Sequence, residues 1–253
     1  MTPDLATELR DYDALARALQ ERTAQLEAVS REYDQFMHSV AHDLRAPLRS
    51  LEGLSEILTE ESGSQLNDET KRCLEIIAAS SRKASLLLED LQMLWSLNRR
   101  EMVCETIDMR ALVQETAQIL KPAWNRVELR LAELPEAWGD RDMLAVVWRK
   151  LMENALKFSR HSPQPVISIM GTRNAEKTAY FIRDNGVGFD MNCAGRLFGI
   201  FQRLHSEQEY EGRGAGLAIA QRIIRRHGGD ISAEGVQKQG AMFRFSLPVH
   251  PVA

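Results

Sequence analysis

The chain has 253 residues, of which 44% are hydrophobic and 27% charged, with a formal net charge of −4, values ordinary for one large or two modest globular domains. That charge balance gives no general case for nucleic-acid binding. No apolar run is long enough to span a bilayer and there is no secretory leader pattern, so a cytoplasmic protein is expected. Cys73, Cys104 and Cys193 are odd in number and far apart, which suits reduced thiols rather than a disulfide framework or a zinc site.

The first forty residues are dense in charge and carry no Pro or Gly after Pro3. Leu5, Leu9, Tyr12, Ala16, Leu19, Thr23, Leu26, Tyr33 and Val40 alternate steps of three and four, with Ser30 and Met37 in the remaining seam positions. This is a heptad pattern and predicts a parallel coiled coil. A stripe this narrow needs a partner helix, so a homodimer is expected. Val29 and Phe36 widen the stripe where two strands would open into a bundle.

Phe36, Val40, Leu44, Leu48, Leu51 and Leu54 continue one apolar helix face. His42 lies off that face, beside Asp43. A solvated imidazole next to a carboxylate can act as a nucleophile, because the acid takes the proton from one ring nitrogen while the other attacks. Two other readings stand beside it: a surface histidine on an amphipathic helix, and metal binding through His38 and His42. Ser39 stands where the catalytic metal motif needs Glu. Pro47 predicts a kink just below His42.

The first helix is expected to run to about Glu60. The cluster Glu61–Asn67 reads as a turn, with Asn67 and Thr70 opening the next helix. That helix carries Cys73, Leu74, Ile77, Ala78, Leu86, Leu87, Leu91 and Leu94 and ends near Arg100. Two antiparallel helices doubled by dimerisation give a four-helix bundle. After Arg100, strand-like and helical runs alternate: strands at 103–107, 127–131, 165–172, 178–184, 230–234 and 241–247, and helices at 109–120, 140–159 and 215–227. This pattern predicts an α/β sandwich with helices on one face of a mixed sheet. The fold class is therefore multi-domain, α then α/β.

Four stretches of this second half can carry chemistry. In Leu151–Ser159, Asn154 and Lys157 share a helix face, where an amide oxygen can coordinate magnesium and an ammonium can meet phosphate. In Asp184-Asn185-Gly186-Val187-Gly188-Phe189, an aspartate at a strand end can accept from an adenine amino group, with glycines allowing close approach. Gly212, Gly214 and Gly216, followed by Leu217, open a helix and can present N–H groups to phosphate. Between them, Phe198 and Phe201 can anchor a segment folded over a ligand, and Arg203 can reach a γ-phosphate. Each also has a bland reading: a solvated helix face, an ordinary turn, a loose glycine triplet, a surface helix.

Taken together, these stretches resemble a known family. Ser39-Val-Ala-His-Asp-Leu-Arg-Ala-Pro-Leu-Arg49 is similar to the phospho-acceptor box of the sensor histidine kinases, with His42 at the phosphorylated position. Asn154-Ala-Leu-Lys-Phe-Ser, Asp184-Asn-Gly-Val-Gly-Phe, Leu197-Phe-x-x-Phe-x-Arg-Leu-His205 and Gly212-x-Gly-x-Gly-Leu-Ala218 resemble, in the family's order, the N, G1, F and G2 boxes of its ATP-binding domain. The wording Phe201-Gln-Arg-Leu-His205 is similar to the phytochrome-like kinases. The likeness runs from about Val29 to Pro248.

The resemblance implies a signalling coiled coil at 1–35, a dimerisation and histidine-phosphotransfer hairpin at 36–100, and an ATP-binding domain at 101–253. It implies ATP and Mg2+ as cofactors, with Asn154 on the metal. ATP contacts are implied for Asn154, Lys157, Asp184, Gly186, Gly188, Phe198, Phe201, Arg203, Gly212, Gly214, Gly216 and Leu217, and catalysis for His42 and Asp43. It further implies relay to an aspartate on a response-regulator receiver domain, and input from an upstream sensor domain through the coiled coil.

The sequence departs from the family pattern in two places. Lys150 stands where the family usually has Asn, and Arg213 where Thr or Ser is frequent. These departures leave a non-catalytic scaffold of kinase descent open as an alternative. A related ATPase that does not phosphorylate histidine is another, against which the His42 box speaks.

Overall fold

A computed structural model describes residues 5–62, 66–121, 126–205 and 209–249; for residues 5–13, Glu27, Asp34, His38, Glu61, Ser62 and Asn98 it describes the backbone alone. The heptad side chains of Leu5, Leu9 and Tyr12, the ring of His38 and most of the Glu61–Asn67 turn therefore lie outside the described residues. Contacts divide the chain into two units, Met1–Gln92 and Met93–Ala253. Among the described residues no helix is long and apolar enough to cross a membrane.

The first unit holds helix α1 (Leu5–Ser62) and most of α2 (Asp68–Arg99). α1 continues through Pro47. The helix is unbroken there, although Pro47 brings no N–H for the carbonyl one turn earlier. Asn67 caps α2: its Oδ1 accepts from the Thr70 N–H and hydroxyl, both at 2.8 Å. Arg82 pairs with Glu52 at 3.2 Å, and the Arg45 guanidinium donates to Gln92. Contacts that rise along α2 as they fall along α1 make the hairpin antiparallel. Ala41, Ala78, Ser55 and Ser81 are buried between the helices, whereas Leu19, Leu26, Tyr33, Phe36, Leu44, Leu51 and Leu54 are exposed.

The second unit begins inside α2, whose Leu94 and Leu97 are buried in its core. It continues with β1 (Cys104–Ile107), α3 (Met109–Ile119), β2 (Glu128–Leu131), β3 (Ala137–Asp140), α4 (Arg141–Ser159), β4 (Val166–Arg173), β5 (Lys177–Asp184), a 3-10 turn (Met191–Arg196), α5 (Gly216–Arg226), β6 (Asp230–Val236) and β7 (Gly240–Pro248). Among the described residues the main sheet has the order β2-β4-β5-β7-β6, with β2 and β4 parallel and the other pairs antiparallel. β1 and β3 form a separate antiparallel pair. Strand alternation puts Ile167, Ile169, Tyr180, Ile182, Phe243 and Phe245 on the face that the helices cover. On the other face Arg244 lies over the Phe181 ring, 5.8 Å from its centroid. Trp148 of α4 packs edge-on to Tyr180 and Phe245 at 6.0 and 5.1 Å, fixing α4 across the centre of the sheet.

Sequence alone did not predict β3, and β3 brings in a buried junction. Asp140, its last residue, caps α4 by accepting from the Met143 N–H at 3.0 Å and also accepts from the Val103 N–H at 3.1 Å. Its own N–H donates to His227 Nε2 at 3.0 Å, while His227 Nδ1 donates to the Ile223 carbonyl at 2.8 Å. The ring is thereby held as one neutral tautomer, and burial pushes its pKa down. Arg226 donates to the Leu97 and Arg100 carbonyls, the latter at 2.8 Å. Asp140→Ala strands two backbone donors, one buried and one half-buried, so the expected loss is about 2–3 kcal/mol of stability. Urea unfolding of the full chain checks this. A midpoint equal to wild type means those donors have other acceptors.

Candidate functional site

The buried residues of α4 (Met143, Leu144, Val147, Trp148, Leu151, Met152, Ala155, Leu156 and Ser159) form the stripe against the sheet. That leaves Lys150, Asn154 and Lys157, at i, i+4 and i+7, on another face of the helix. Two glycine positions ahead of α5 and at its start lie against this face. A Cβ on Gly212 would sit 3.0 Å from Lys157 Nζ, and one on Gly216 would sit 3.4 Å from Lys150 Cδ. Gly212 and Gly214 have positive φ, 140° and 75°, which an L side chain rarely adopts. α5 starts at Gly216 with no side-chain cap, so its first N–H groups are not taken by a side chain, and Leu217 just behind them is buried in the core.

Lys157 is charged into a crowded place. Burial, and secondarily the Arg203 charge, lower its pKa to about 8, against the opposing pull of Glu153. Its Nζ lies 4.2 Å from the centroid of the Phe158 ring. Arg203 points into the same loop, donating to the Gly212 carbonyl and the Tyr210 carbonyl at 2.6 Å each. It thus holds the glycine loop in place here. Gly214 is tied back by its carbonyl, which accepts from the Phe201 N–H at 3.1 Å. The two aromatic residues of that segment part company: Phe198 packs against the core, while Phe201 is exposed and sits at φ 60°.

Asp184 ends β5 and is buried, 3% exposed. Its Oδ1 accepts from the Gly186 N–H at 2.9 Å. Burial raises its pKa to about 6, and hydrogen bonds from the Gly186 and Ala241 backbone act the other way. Gly186 and Gly188 admit no side chain: their Cβ positions would lie 2.3 Å from the Phe158 carbonyl oxygen and 2.0 Å from that of Val236, and Gly188 has φ 61°. The Asp184 turn is therefore pressed directly onto the end of α4.

A group that sequence reasoning left without a role stands beside it. Phe158, His205 and Tyr210 form a triangle with ring centroids 5.1, 5.3 and 5.5 Å apart. His205 Nε2 donates to the Gly188 carbonyl at 3.0 Å, and the Arg160 guanidinium lies over Tyr210 at 5.0 Å. Arg160, Gly188, His205 and Tyr210 line a cleft of about 810 Å3 that also reaches His161, Asp190 and Lys238. Tyr210 could have been suspected as a lone aromatic in a polar, glycine-bearing stretch. Its contact with Phe158 could not, since 52 positions separate them.

In the first unit, His42 Nδ1 lies 3.2 Å from Asp43 Oδ1, with both side chains exposed (72% and 73%). The Ser39 hydroxyl donates to the other Asp43 oxygen at 3.5 Å. Among the described residues, which leave out the His38 side chain, no group of three His, Cys, Asp or Glu could hold a metal ion. All three cysteines are unpaired.

Residues 139–251 match the family described as histidine kinase-, DNA gyrase B- and HSP90-like ATPase, and residues 32–98 match the His Kinase A (phospho-acceptor) domain. The methanogenesis regulatory histidine kinase FilI of Methanothrix harundinacea is 32% identical, over 91% of this chain and 26% of that protein. The phytochrome-like protein Cph1 of Synechocystis is 28% identical, over 92% of this chain and 31% of that protein. The chain thus spans about a quarter to a third of the length of these curated relatives. Full-length ShkA, solved in complex with AMPPNP, shares the fold with a TM-score of 0.64 at 22% identity, over 87% of this chain and 46% of that one.

Proposed function

The chain belongs to the sensor histidine kinases, and from that premise we propose that it phosphorylates itself on His42 with ATP and passes the phosphoryl group to an aspartate of a response-regulator receiver domain. The observation that carries this reading is the exposed His42–Asp43 pair. With Nδ1 engaged by the carboxylate at 3.2 Å, Nε2 is the nitrogen left to attack. The N–P bond forms at Nε2 as the bond from the γ-phosphorus to its bridging oxygen breaks, ADP leaves with that electron pair, and the Nδ1 proton passes to Asp43. Asp184 would accept from the adenine amino group, with Gly186 and Gly188 letting its turn close onto the Phe158 and Val236 carbonyls and so fixing the carboxylate. Gly212, Gly214, Gly216 and Leu217 would present the start of α5 to the phosphates, with Lys157 and Arg203 adding charge, and Phe198 and Phe201 would carry the segment that covers them.

The chemistry of the donor set suits magnesium. A cation that keeps most of its waters needs one amide oxygen beside substrate phosphates, not a protein cage. Asn154, between Lys150 and Lys157 on the loop side of α4, is the residue that would hold it. When bound, the ion neutralises charge developing on the phosphoryl oxygens.

The exposed stripe from Leu19 to Leu54 supports a homodimer, since an apolar face of this length in water needs a partner, and a second copy brings the matching heptads. The domain limits 1–35, 36–100 and 101–253 go with this proposal, as does an upstream sensor domain acting through the coil. Incubating the protein with labelled ATP and magnesium should give an acid-labile, alkali-stable phosphoprotein; no label at all would overturn the kinase reading.

Removing phosphate from the partner regulator should be slow. Ala46 lies one turn after His42 on the same exposed helix face, the place where family members with phosphatase activity carry a water-orienting Thr or Asn. A methyl group holds no water. Ala46→Thr should therefore accelerate loss of phosphate from the phosphorylated regulator in the presence of ADP, and equal rates for both proteins would remove Ala46 from the account.

A further inference from the structure

The glycine loop meets α4 at both of its ends, and each meeting is with a lysine. Lys157 Nζ faces Gly212, and the stem of Lys150 lies along Gly216, with Cδ, Cβ and Cγ at 3.4, 3.8 and 3.9 Å from where a Cβ would be. We infer that Lys150 is a second phosphate-binding ammonium of this site, held by Glu153 until nucleotide arrives, so that the chain itself supplies part of the charge neutralisation otherwise left to a divalent cation.

Three observations carry the inference. The Lys150 side chain is only 16% exposed, so its stem is fixed along the loop rather than spread into solvent. Its ammonium pairs with Glu153 at 3.3 Å, and that carboxylate is 42% exposed. A pair with one well-solvated partner contributes little, and exchanging the carboxylate for a phosphate oxygen is correspondingly easy. The surroundings are otherwise positive: Lys157, Arg203 and the first turn of α5, whose N-terminus carries the positive end of the helix dipole. An anion lying between that end and the Lys150 ammonium would be attracted to both. A polyphosphate on the loop would meet positive charge at both glycines, with Lys150 and Lys157 reaching it from one helix face.

The inference rests on the ATP-binding reading above, and the experiment separates the two. Titration calorimetry of the full chain compares ATP in chelator with ATP in magnesium. Wild type should keep measurable affinity without metal. Lys150→Met preserves the stem against Gly216 and removes the charge. It should lose roughly tenfold in metal-free affinity and clearly less with magnesium present, and Lys150→Arg should retain most of the metal-free binding. Lys150→Met binding metal-free ATP like wild type, or losing the same factor with and without magnesium, overturns the inference. Glu153→Gln gives an independent reading that does not depend on how well the Met variant folds. Freed from its carboxylate, Lys150 should bind metal-free ATP more tightly, and unchanged or weaker binding counts against it. If wild type binds ATP under neither condition, it is the nucleotide reading that fails.

Discussion

His42→Gln should abolish the phosphoprotein while leaving nucleotide binding intact. Glutamine keeps polarity and approximate reach but has no ring nitrogen with a free lone pair, so no N–P bond can form. The residues proposed to bind ATP lie in the second unit and do not include His42, so affinity by calorimetry should stay within experimental scatter of wild type. Label retained at full level in the variant would move the acceptor elsewhere. Asp43→Asn is the milder companion. It keeps an oxygen near Nδ1 at the geometry that now gives 3.2 Å, but it cannot take up the proton. Transfer should therefore slow by roughly 10²–10⁴-fold, the usual range for a positioned acid–base group, without a change in ATP affinity.

The second large effect is expected at Asp184. As the acceptor for the adenine amino group it must be ionised, yet burial raises its pKa to about 6. ATP affinity should therefore rise between about pH 5.5 and 7, with a midpoint near that pKa. Asp184→Asn should flatten this profile and weaken binding by about 1.5–3 kcal/mol at neutral pH, the scale of a charge-assisted hydrogen bond, or roughly tenfold and more. Folding follows the opposite course. A carboxyl whose folded pKa lies above its unfolded value near 3.9 contributes stability that is present below the unfolded pKa and lost as pH rises through 6. The ionised group is thus a burden to the fold at neutral pH, and the Asn variant should unfold at higher temperature there while binding ATP less well. An Asn variant with unchanged ATP affinity across the whole range would end Asp184's role as adenine acceptor.

How much of this was legible depended on the range of the interactions involved. Asn67 as the start of α2 and Asp184 at a strand end are local patterns, and the backbone places both where residue type and spacing put them. The helices on one face of a mixed sheet followed from strand alternation and the α4 stripe. β3 went unseen because Ala-Trp-Gly-Asp has no alternation to read; its existence depends on pairing with β1, residue 104 against 140. The meeting of Asp140 with His227 spans 87 positions and that of Arg226 with Leu97 spans 129, and nothing at either end announces the other. Arg203 shows the same limit in another form. Its charge near the glycines was readable, but its two bonds to loop carbonyls depend on a turn conformation that residue types do not encode.

The end of α2 has a practical consequence. Leu94 and Leu97 are buried with the α/β core, and the Leu97 and Arg100 carbonyls accept from Arg226 at the far end of α5. The last turns of this helix therefore melt and exchange their amide protons with the residues that follow them, not with the hairpin whose sequence they continue. A fragment cut after Arg100 would carry an open apolar groove and an arginine without its acceptors, and should be prone to stick to itself. Cutting before Met93 takes the helix end along, and that longer fragment is the one expected to stay in solution.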